Sequence, residues 1–481
     1  MADRLRDKVA MGVAWSVAEK IGSMLLQVTV SIIVARLLMP DDFGVMAIMT
    51  FFTALALVVV DSGFSQMLIR KNAPTADDYK SVFVFNVAVS IVLYVVLTLT
   101  APMVARFYGR DVIARIAPVL FLLLPINAFC VIQNTIFTRR FRFDLLSKIN
   151  FASSCIAGVA AIAMALAGMG VWALVGQRLG MMAAKAALLW LCSDWRADGT
   201  FSGATLRAMS PFSFRLMFTD IISAVYNNVA QLFIGKMYST DTLGYFNQAQ
   251  KLKELPVSSA MQSVQSVTYP ALSNIKDDAA KFADSYRRVM MVTAFVMFPA
   301  MVGMIAVADD MFALLLGERW MPTVPYFRIL SLCGVFYPLS MIAYNILKVK
   351  SDGSIIIRLE VVKKIITTVI LAATIPYSVT AVAWGLVAMT AVEAAVNIAA
   401  STRFARIGIF AILRTLAPIA LLTAAMYLVV TGIAPCIAGL HILARLAMEI
   451  VAGAAFYLLA ALLFRMETLR EMKEVVVRLR K

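Results

Sequence analysis

The chain has 481 residues, of which 62% are apolar and 15% are charged, and its net charge is +16. Soluble domains contain about 45–50% apolar and about 25% charged residues, so this composition predicts an all-α polytopic membrane protein and excludes a large soluble domain. Nucleic-acid binding is not expected, because the cations lie in short clusters between apolar segments rather than in one basic surface.

Fourteen segments are predicted to cross the membrane, since a helix needs about 20 mostly apolar residues to do so. In chain order they lie near 9–35, 44–69, 79–103, 112–136, 148–168, 170–192, 210–236, 240–270, 285–308, 323–347, 356–377, 379–402, 409–431 and 439–464. The first is expected to be an uncleaved signal anchor. The eighth, 240–270, contains Lys251, Lys253 and Glu254 and is too polar to be assigned by hydropathy alone.

An internal repeat supports the eighth segment. IIVARLLMPDDFGV at 32–45 aligns without a gap with LFIGKMYSTDTLGY at 232–245, which pairs Asp41 with Asp241 and Gly44 with Gly244. Segment 240–270 is therefore the counterpart of segment 44–69. Each repeat then holds six helices, and an even number of crossings makes the two repeats parallel.

This repeat predicts the domain organisation. We expect an N-terminal lobe at 1–192, a cytoplasmic linker at 193–209, a second lobe at 210–402, and a final helix pair with a basic tail at 403–481.

The distribution of basic residues predicts the orientation. With fourteen helices and a cytoplasmic N-terminus, 28 of the 44 Lys and Arg residues fall in cytoplasmic segments. The opposite side receives six, namely Arg36, Arg106, Arg110, Arg115, Lys236 and Arg319. Omitting segment 240–270 would move every later cluster outside, against the positive-inside rule. Both termini are therefore predicted to be cytoplasmic.

The charges within the predicted spans are the first place to look for a site, because a charge in the bilayer usually faces a partner or a water-filled path. The first two helices of each repeat carry eight: Glu19, Lys20, Asp61, Arg215, Asp220, Lys251, Lys253 and Glu254. Two interpretations are open: these charges line one cavity, or they form ion pairs that hold the halves together. Arg178 and Lys185 share a face of the sixth helix, where a cavity and a salt bridge fit equally well.

Other charged residues are interpreted as structural. Glu360 with Lys364, and Arg445 with Glu449, have the i,i+4 spacing of ion pairs within one helix. The acidic pairs at 41–42 and 309–310 stand at helix boundaries, where capping explains them.

The sequence offers little enzyme chemistry. It has five cysteines without metal-ligand spacing, one histidine near a loop end, and no glycine-rich loop of the kind that binds ATP phosphates. We therefore expect a protein that is not an enzyme and that needs no cofactor.

Several motifs resemble those of a known family. They are ARLLMPDDFGVMAI (35–48), DSGFSQMLIRK (61–71), LGYFNQAQKLKELP (243–256), VTYPALSNIKDD (267–278), SYRRVM (285–290) and LLGERWMPTVPYFRILSLCG (315–334). Together they resemble the polysaccharide transporter family, the Wzx-type flippases of the MOP superfamily, and within it the colanic-acid-exporter subgroup.

The resemblance implies a V-shaped transporter that flips undecaprenyl-pyrophosphate-linked oligosaccharide across the bacterial inner membrane by alternating access. It implies that cations contact the pyrophosphate: Lys20, Lys251 and Lys253 match best, with Arg215 and Arg178 as further candidates. Glu19, Asp61 and Asp220 are the candidates for charge pairing or for coupling to H⁺ or Na⁺. Membrane lipids are expected partners as well, and a polysaccharide polymerase and a chain-length regulator are the protein partners that this role suggests.

Two other functions are open at this stage. An ion-coupled drug exporter of the same superfamily would favour an acidic cavity, whereas the lining helices here carry many cations. A membrane partner of an export complex that transports nothing would need only the structural ion pairs.

Overall fold

The computed structural model describes residues 22–275, 278–351, 354–466 and 468–469, and these ranges contain helices and no strand. The α-helices are α1 (Gly22–Leu37), α2 (Pro40–Asp61), α3 (Phe64–Arg70), α4 (Ala76–Tyr108), α5 (Val112–Leu120), α6 (Leu123–Arg139), α7 (Phe143–Leu166), α8 (Val171–Cys192), α9 (Gly203–Met237), α10 (Thr240–Asn274), α11 (Ala279–Ala306), α12 (Ala308–Leu315), α13 (Val324–Ser331), α14 (Cys333–Lys350), α15 (Ser354–Thr374), α16 (Val379–Ala405), α17 (Ile409–Ile433) and α18 (Ile442–Leu463). This confirms the all-α class.

Nine helices, or runs of consecutive helices, within these ranges are long and apolar enough to cross a membrane. The protein is therefore a multi-pass membrane protein. Each of the fourteen predicted segments coincides with helix in the described residues, but the helices of five segments are not counted. The described part of α1 is too short, and α8, α9, α10 and α15 are too polar. The number fourteen stays a prediction.

The described residues form two compact units, one ending at Asn247 and one beginning at Gln248. In the first unit, α9 packs along α2, α3 and α4. In the second unit, α11 packs along α14 and α17 around a core that contains Tyr286, Phe295 and Tyr457. The lobe boundaries predicted at 192 and 210 stay predictions.

The repeat is visible in a reciprocal contact at the start of α2 and α10, inside the first unit. A Cβ placed on Gly44 would lie 1.8 Å from the Thr240 carbonyl oxygen, and one placed on Gly244 would lie 1.9 Å from the Pro40 carbonyl oxygen. Residues 40 and 44 thus meet residues 240 and 244 crosswise, which is the pattern expected of two copies related by a twofold axis. Only glycine lets two helix backbones approach this closely.

Arg110 joins the same pair of aspartates that the sequence alignment matched. Its Nη2 lies 2.6 Å from Asp41 Oδ1 and 3.9 Å from Asp241 Oδ2. Asp41 also accepts a hydrogen bond from the Thr240 hydroxyl. Capping therefore does not account for Asp41, although Asp42 does accept a bond from the Met39 backbone N–H, at 3.1 Å, as a capping residue would.

The loops of the first unit group as the charge pattern predicts. Near the start of α4, the Arg139 guanidinium donates to the Lys71 carbonyl at 2.6 Å, and Lys80 Nζ donates to the Ala197 carbonyl at 2.8 Å. These contacts join three segments that are predicted to be cytoplasmic. At the other end of α4, Lys236 donates to the Phe107 carbonyl. The two ends are separated by 33 residues of helix, about 50 Å.

The charged residues interpreted as structural do form ion pairs, but their hydrogen-bonded partners differ from the i,i+4 partners that spacing suggested. Arg445 binds Asp310 through Nε and Nη2, which joins α18 to α12. Glu360 binds Lys363, whose ammonium also lies 3.5 Å from Glu393 on α16. Asp309 and Asp310 stand in the first turn of α12, at the predicted helix boundary, and Asp309 also pairs with Arg328 at 2.5 Å.

Replacing Arg445 with alanine is expected to destabilise the second unit by about 2 kcal/mol, because the Asp310 carboxylate, whose side chain is 8% exposed, would lose both donors. The measurement is thermal unfolding of the purified protein in detergent. Arg328→Ala is the matched control: its pair with Asp309 is 41% and 54% exposed, and it should cost less than about 1 kcal/mol. Equal losses in the two variants would contradict this account.

Candidate functional site

The second predicted span is a broken helix, and the break follows an acidic residue. α2 ends at Asp61, Ser62 and Gly63 both have positive φ angles of 48° and 71°, and α3 begins at Phe64. Two successive left-handed residues interrupt the hydrogen-bond ladder of a helix. Such interruptions at membrane depth occur where the backbone lines a cavity or is enclosed by protein.

Gly63 holds the break against α9. A Cβ on Gly63 would lie 2.8 Å from the Ser213 carbonyl oxygen, so no larger residue fits, and its φ angle also favours glycine. This close contact between Gly63 and α9 lies two residues after Asp61 and keeps the end of α2 beside α9.

Asp61 and Asp220 line one cavity of about 420 Å³ in the first unit. Asp61 Oδ2 accepts a hydrogen bond of 2.9 Å from the Ser65 hydroxyl, while Asp61 Oδ1 is buried and accepts none from the described residues. The other polar residues of the lining are Ser65, Asn127, Asn134, Thr135 and Thr138. A carboxylate oxygen that accepts no hydrogen bond from the described residues therefore faces a small polar cavity.

This arrangement suits a proton or a hard monovalent cation. Its lining offers carboxylate, amide and hydroxyl oxygens, which are the ligands that hard cations prefer. No lysine or arginine belongs to the lining as far as the described residues go. Ionisable groups at such depth commonly mark ion pathways.

Sequence reasoning found the two acids of this cavity and missed the amides. Asn127, Asn134 and Thr138 all lie on α6, and spacings of seven and four place them on one face of that helix. Polar residues at helical spacing in an otherwise apolar span were the available signal.

The predicted basic residues are not gathered at this cavity. Arg178 donates to the Thr50 hydroxyl at 3.2 Å, which ties α8 to α2 within the first unit. Arg215 is exposed on α9, five residues before Asp220. Lys251 and Lys253 belong to the second unit, where Lys253 Nζ lies 4.0 Å from Glu254. Glu19 and Lys20 lie outside the described residues.

A second charged cluster lies in the second unit and was not predicted as a site. The Lys363 side chain is 8% exposed, and it contacts the carboxylates of Glu360 and Glu393 and the ring of Tyr344. One buried cation with two carboxylates and an aromatic face is a compensated group. We interpret it as a structural link between α15 and α16.

Comparison with protein families gives a match over more than half of the chain. The model of a family described as "Polysaccharide biosynthesis protein" matches residues 33–325.

Three characterised relatives are similar in sequence. The succinoglycan biosynthesis transport protein ExoT of Rhizobium meliloti is 24% identical over 75% of this chain and 73% of its own. The lipopolysaccharide biosynthesis protein WzxC of Escherichia coli is 23% identical over the same shares. The teichuronic acid biosynthesis protein TuaB of Bacillus subtilis is 24% identical over 59% of each chain.

Two solved structures show the fold. The lipid II flippase MurJ in an inward closed conformation superposes with a TM-score of 0.75, over 94% of this chain and 99% of that one, at 14% identity. A multidrug resistance MATE transporter of the MOP superfamily superposes with a TM-score of 0.61, over 82% and 96%, at 18% identity. The fold is therefore that of the MOP transporters, as predicted.

Proposed function

Because the chain belongs to the polysaccharide biosynthesis protein family, we propose that it flips undecaprenyl-pyrophosphate-linked oligosaccharide from the inner to the outer leaflet of a bacterial inner membrane. The observation that carries the proposal is the similarity, over three quarters of the chain, to a succinoglycan biosynthesis transport protein and to a lipopolysaccharide biosynthesis protein. The MurJ-like fold supports it, since MurJ is a flippase of another lipid-linked substrate.

The charge of the transported headgroup determines which residues the substrate path needs. A diphosphate carries negative charge across an apolar slab, and fixed cations in its path replace part of the hydration that it loses. Lys20, Lys251 and Lys253 are our candidates for that contact, with Arg215 and Arg178 next. Alternating access then exposes these cations to each leaflet in turn.

An ion gradient supplies the driving force in this proposal, and the acidic cavity is where the coupling ion binds. Asp61 and Asp220 bind H⁺ or Na⁺ and release it on the other side, which couples the uphill or biased movement of the lipid to an ion gradient. The open Oδ1 of Asp61 and the oxygen-rich lining support this role. Glu19 is the remaining candidate for ion coupling or for pairing with Lys20.

The same cavity favours a second candidate, an ion-coupled exporter of organic cations. Two carboxylates in a cavity of about 420 Å³ would attract a cationic drug, and this volume is within the range of small-molecule sites. The two functions differ in substrate charge, so one experiment separates them.

The test is complementation of a strain that lacks its polysaccharide flippase and makes a compatible glycan. We expect the wild type to restore surface polysaccharide and to clear lipid-linked repeat units from the cytoplasmic leaflet. Lys251→Ala should reduce both by about 10-fold at equal protein abundance. Lys281→Ala, at an exposed position in the first turn of α11, is the matched control and should behave as wild type.

The outcomes separate the candidates. Extrusion of a cationic dye by the wild type without rescue of any glycan would replace the flippase proposal by drug export. Rescue that Lys251→Ala does not impair would keep the flippase and remove this residue from the substrate path. Lipid-linked units that reach the outer leaflet only when another flippase is present would indicate a partner that transports nothing.

A further inference from the structure

A large cavity in the second unit has a basic mouth and apolar walls. It measures about 1080 Å³ and lies among α11, α17 and α18. Arg287, Arg414 and Arg465 contribute to its lining. The remaining surface is mainly apolar, including Leu421 and Phe456.

The three arginines come together at one end of the helices. Arg287 is in the third turn of α11, Arg414 is in the second turn of α17, and Arg465 is two residues beyond the end of α18. Leu421 is seven residues beyond Arg414 on α17, about 10 Å further along the helix. The cavity therefore runs from a cationic mouth towards an apolar interior.

Two of these three arginines lack a carboxylate partner within the part of the chain that the structure describes. Neither Arg414 nor Arg465 forms an ion pair among the described residues, while Arg287 lies 3.9 Å from Asp284, which also binds Arg288 at 3.0 Å. Thr415 and Thr468 add hydroxyl groups to the lining. Among the described residues, the mouth thus holds three guanidinium groups and one carboxylate beside them, that of Asp284.

The cavity opens to the bilayer. Leu421, Leu463 and Phe464 on its lining are 72%, 80% and 73% exposed, on helices that are apolar enough to span the membrane. A ligand that enters from this side comes from the acyl chains of the bilayer. It must be amphipathic, because the cavity has apolar walls and a basic mouth. Arginine binds phosphate oxygens through two parallel hydrogen bonds, which suits a phosphodiester at the mouth.

We infer that this cavity binds an anionic phospholipid, with the phosphate on Arg287, Arg414 and Arg465 and the acyl chains along α17 and α18. Basic pockets between membrane helices commonly hold such headgroups. The inference depends on the membrane location of the protein and not on the identity of the transported substrate.

The test is native mass spectrometry of the purified protein titrated with phosphatidylglycerol and with phosphatidylcholine of the same acyl composition. We expect phosphatidylglycerol to bind at least about 10-fold more tightly, and the variant Arg414→Gln/Arg465→Gln to lose that preference. Arg414→Lys/Arg465→Lys, which keeps the charge and loses the bidentate geometry, should be intermediate. Arg403→Gln, an exposed arginine in the last turn of α16, is the matched control and should bind as the wild type does.

Three results would overturn the inference. The first is equal affinity of the wild type for the two lipids, and the second is an unchanged preference in the Arg414→Gln/Arg465→Gln variant. The third is a retained ligand with the mass of a polyprenyl phosphate, which would make the cavity part of the substrate path. Gel filtration and thermal unfolding establish that each variant is folded, and the lysine variant provides the comparison if the glutamine variant is not.

Discussion

Replacing Gly44 with alanine is expected to remove most of the folded protein, with a loss of more than about 3 kcal/mol in the free energy of unfolding. The added Cβ would lie 1.8 Å from the Thr240 carbonyl oxygen. The clash is with backbone, so no side-chain rotation relieves it, and α2 and α10 would have to separate. Gly244→Ala should have the same effect, since its Cβ would lie 1.9 Å from the Pro40 carbonyl oxygen.

The measurements are membrane abundance and thermal unfolding in detergent. Gly432→Ala is the matched control, because it also lies inside a helix, α17, and nothing stands within 4 Å of the added Cβ. We expect that change to be neutral or to stabilise by about 0.5 kcal/mol, through a less flexible unfolded chain. Normal abundance and stability of both Gly44→Ala and Gly244→Ala would show that the two helices do not depend on this close contact.

Replacing Asp61 with asparagine is expected to reduce polysaccharide export at least about 10-fold while leaving the protein folded. Asparagine preserves the size of the side chain and can still accept the bond from Ser65 Oγ, but it cannot exchange a proton or neutralise a cation. A buried carboxylate oxygen without a donor does not stabilise the fold, so thermal stability should stay the same or rise. Asp220→Asn should lose export in the same way.

This combination distinguishes ion coupling from a structural role. A residue that only holds the helices together would lose stability and export in parallel. Asp111→Asn, an exposed acid just before α5, is the control and should export as the wild type does. Wild-type export by both Asp61→Asn and Asp220→Asn would remove the acidic cavity from the mechanism.

The two acids of the candidate site could be predicted from the sequence, whereas its other polar residues could not. Asp61 and Asp220 stood out because an acid in an apolar span is costly and therefore rare. What could not be predicted is that they line one cavity, since this depends on α9 packing along α2 and α3. The break at Ser62 and Gly63 was hidden as well, because hydropathy registers composition and not backbone angles.

The charged pairs show the same division. Spacing within one helix suggested Glu449 as the partner of Arg445, and the contact between α12 and α18 made Asp310 its hydrogen-bonded partner. A long charged side chain can pair with a residue three or four positions away on its own helix or with a residue on a neighbouring helix. Sequence spacing therefore suggests partners but does not determine which one is bound.

By itself the sequence determined the all-helical membrane class and the parallel repeat, because crossing a bilayer demands long apolar helices and because duplicated segments keep their residue order. The tertiary structure decided which residues share a cavity. It brought Asp61 beside Asp220, it set Gly44 against Thr240, and it gathered three arginines at the mouth of a lipid-facing cavity. Such groupings depend on how helix faces pack, and packing is fixed by contacts between residues that are far apart in the chain.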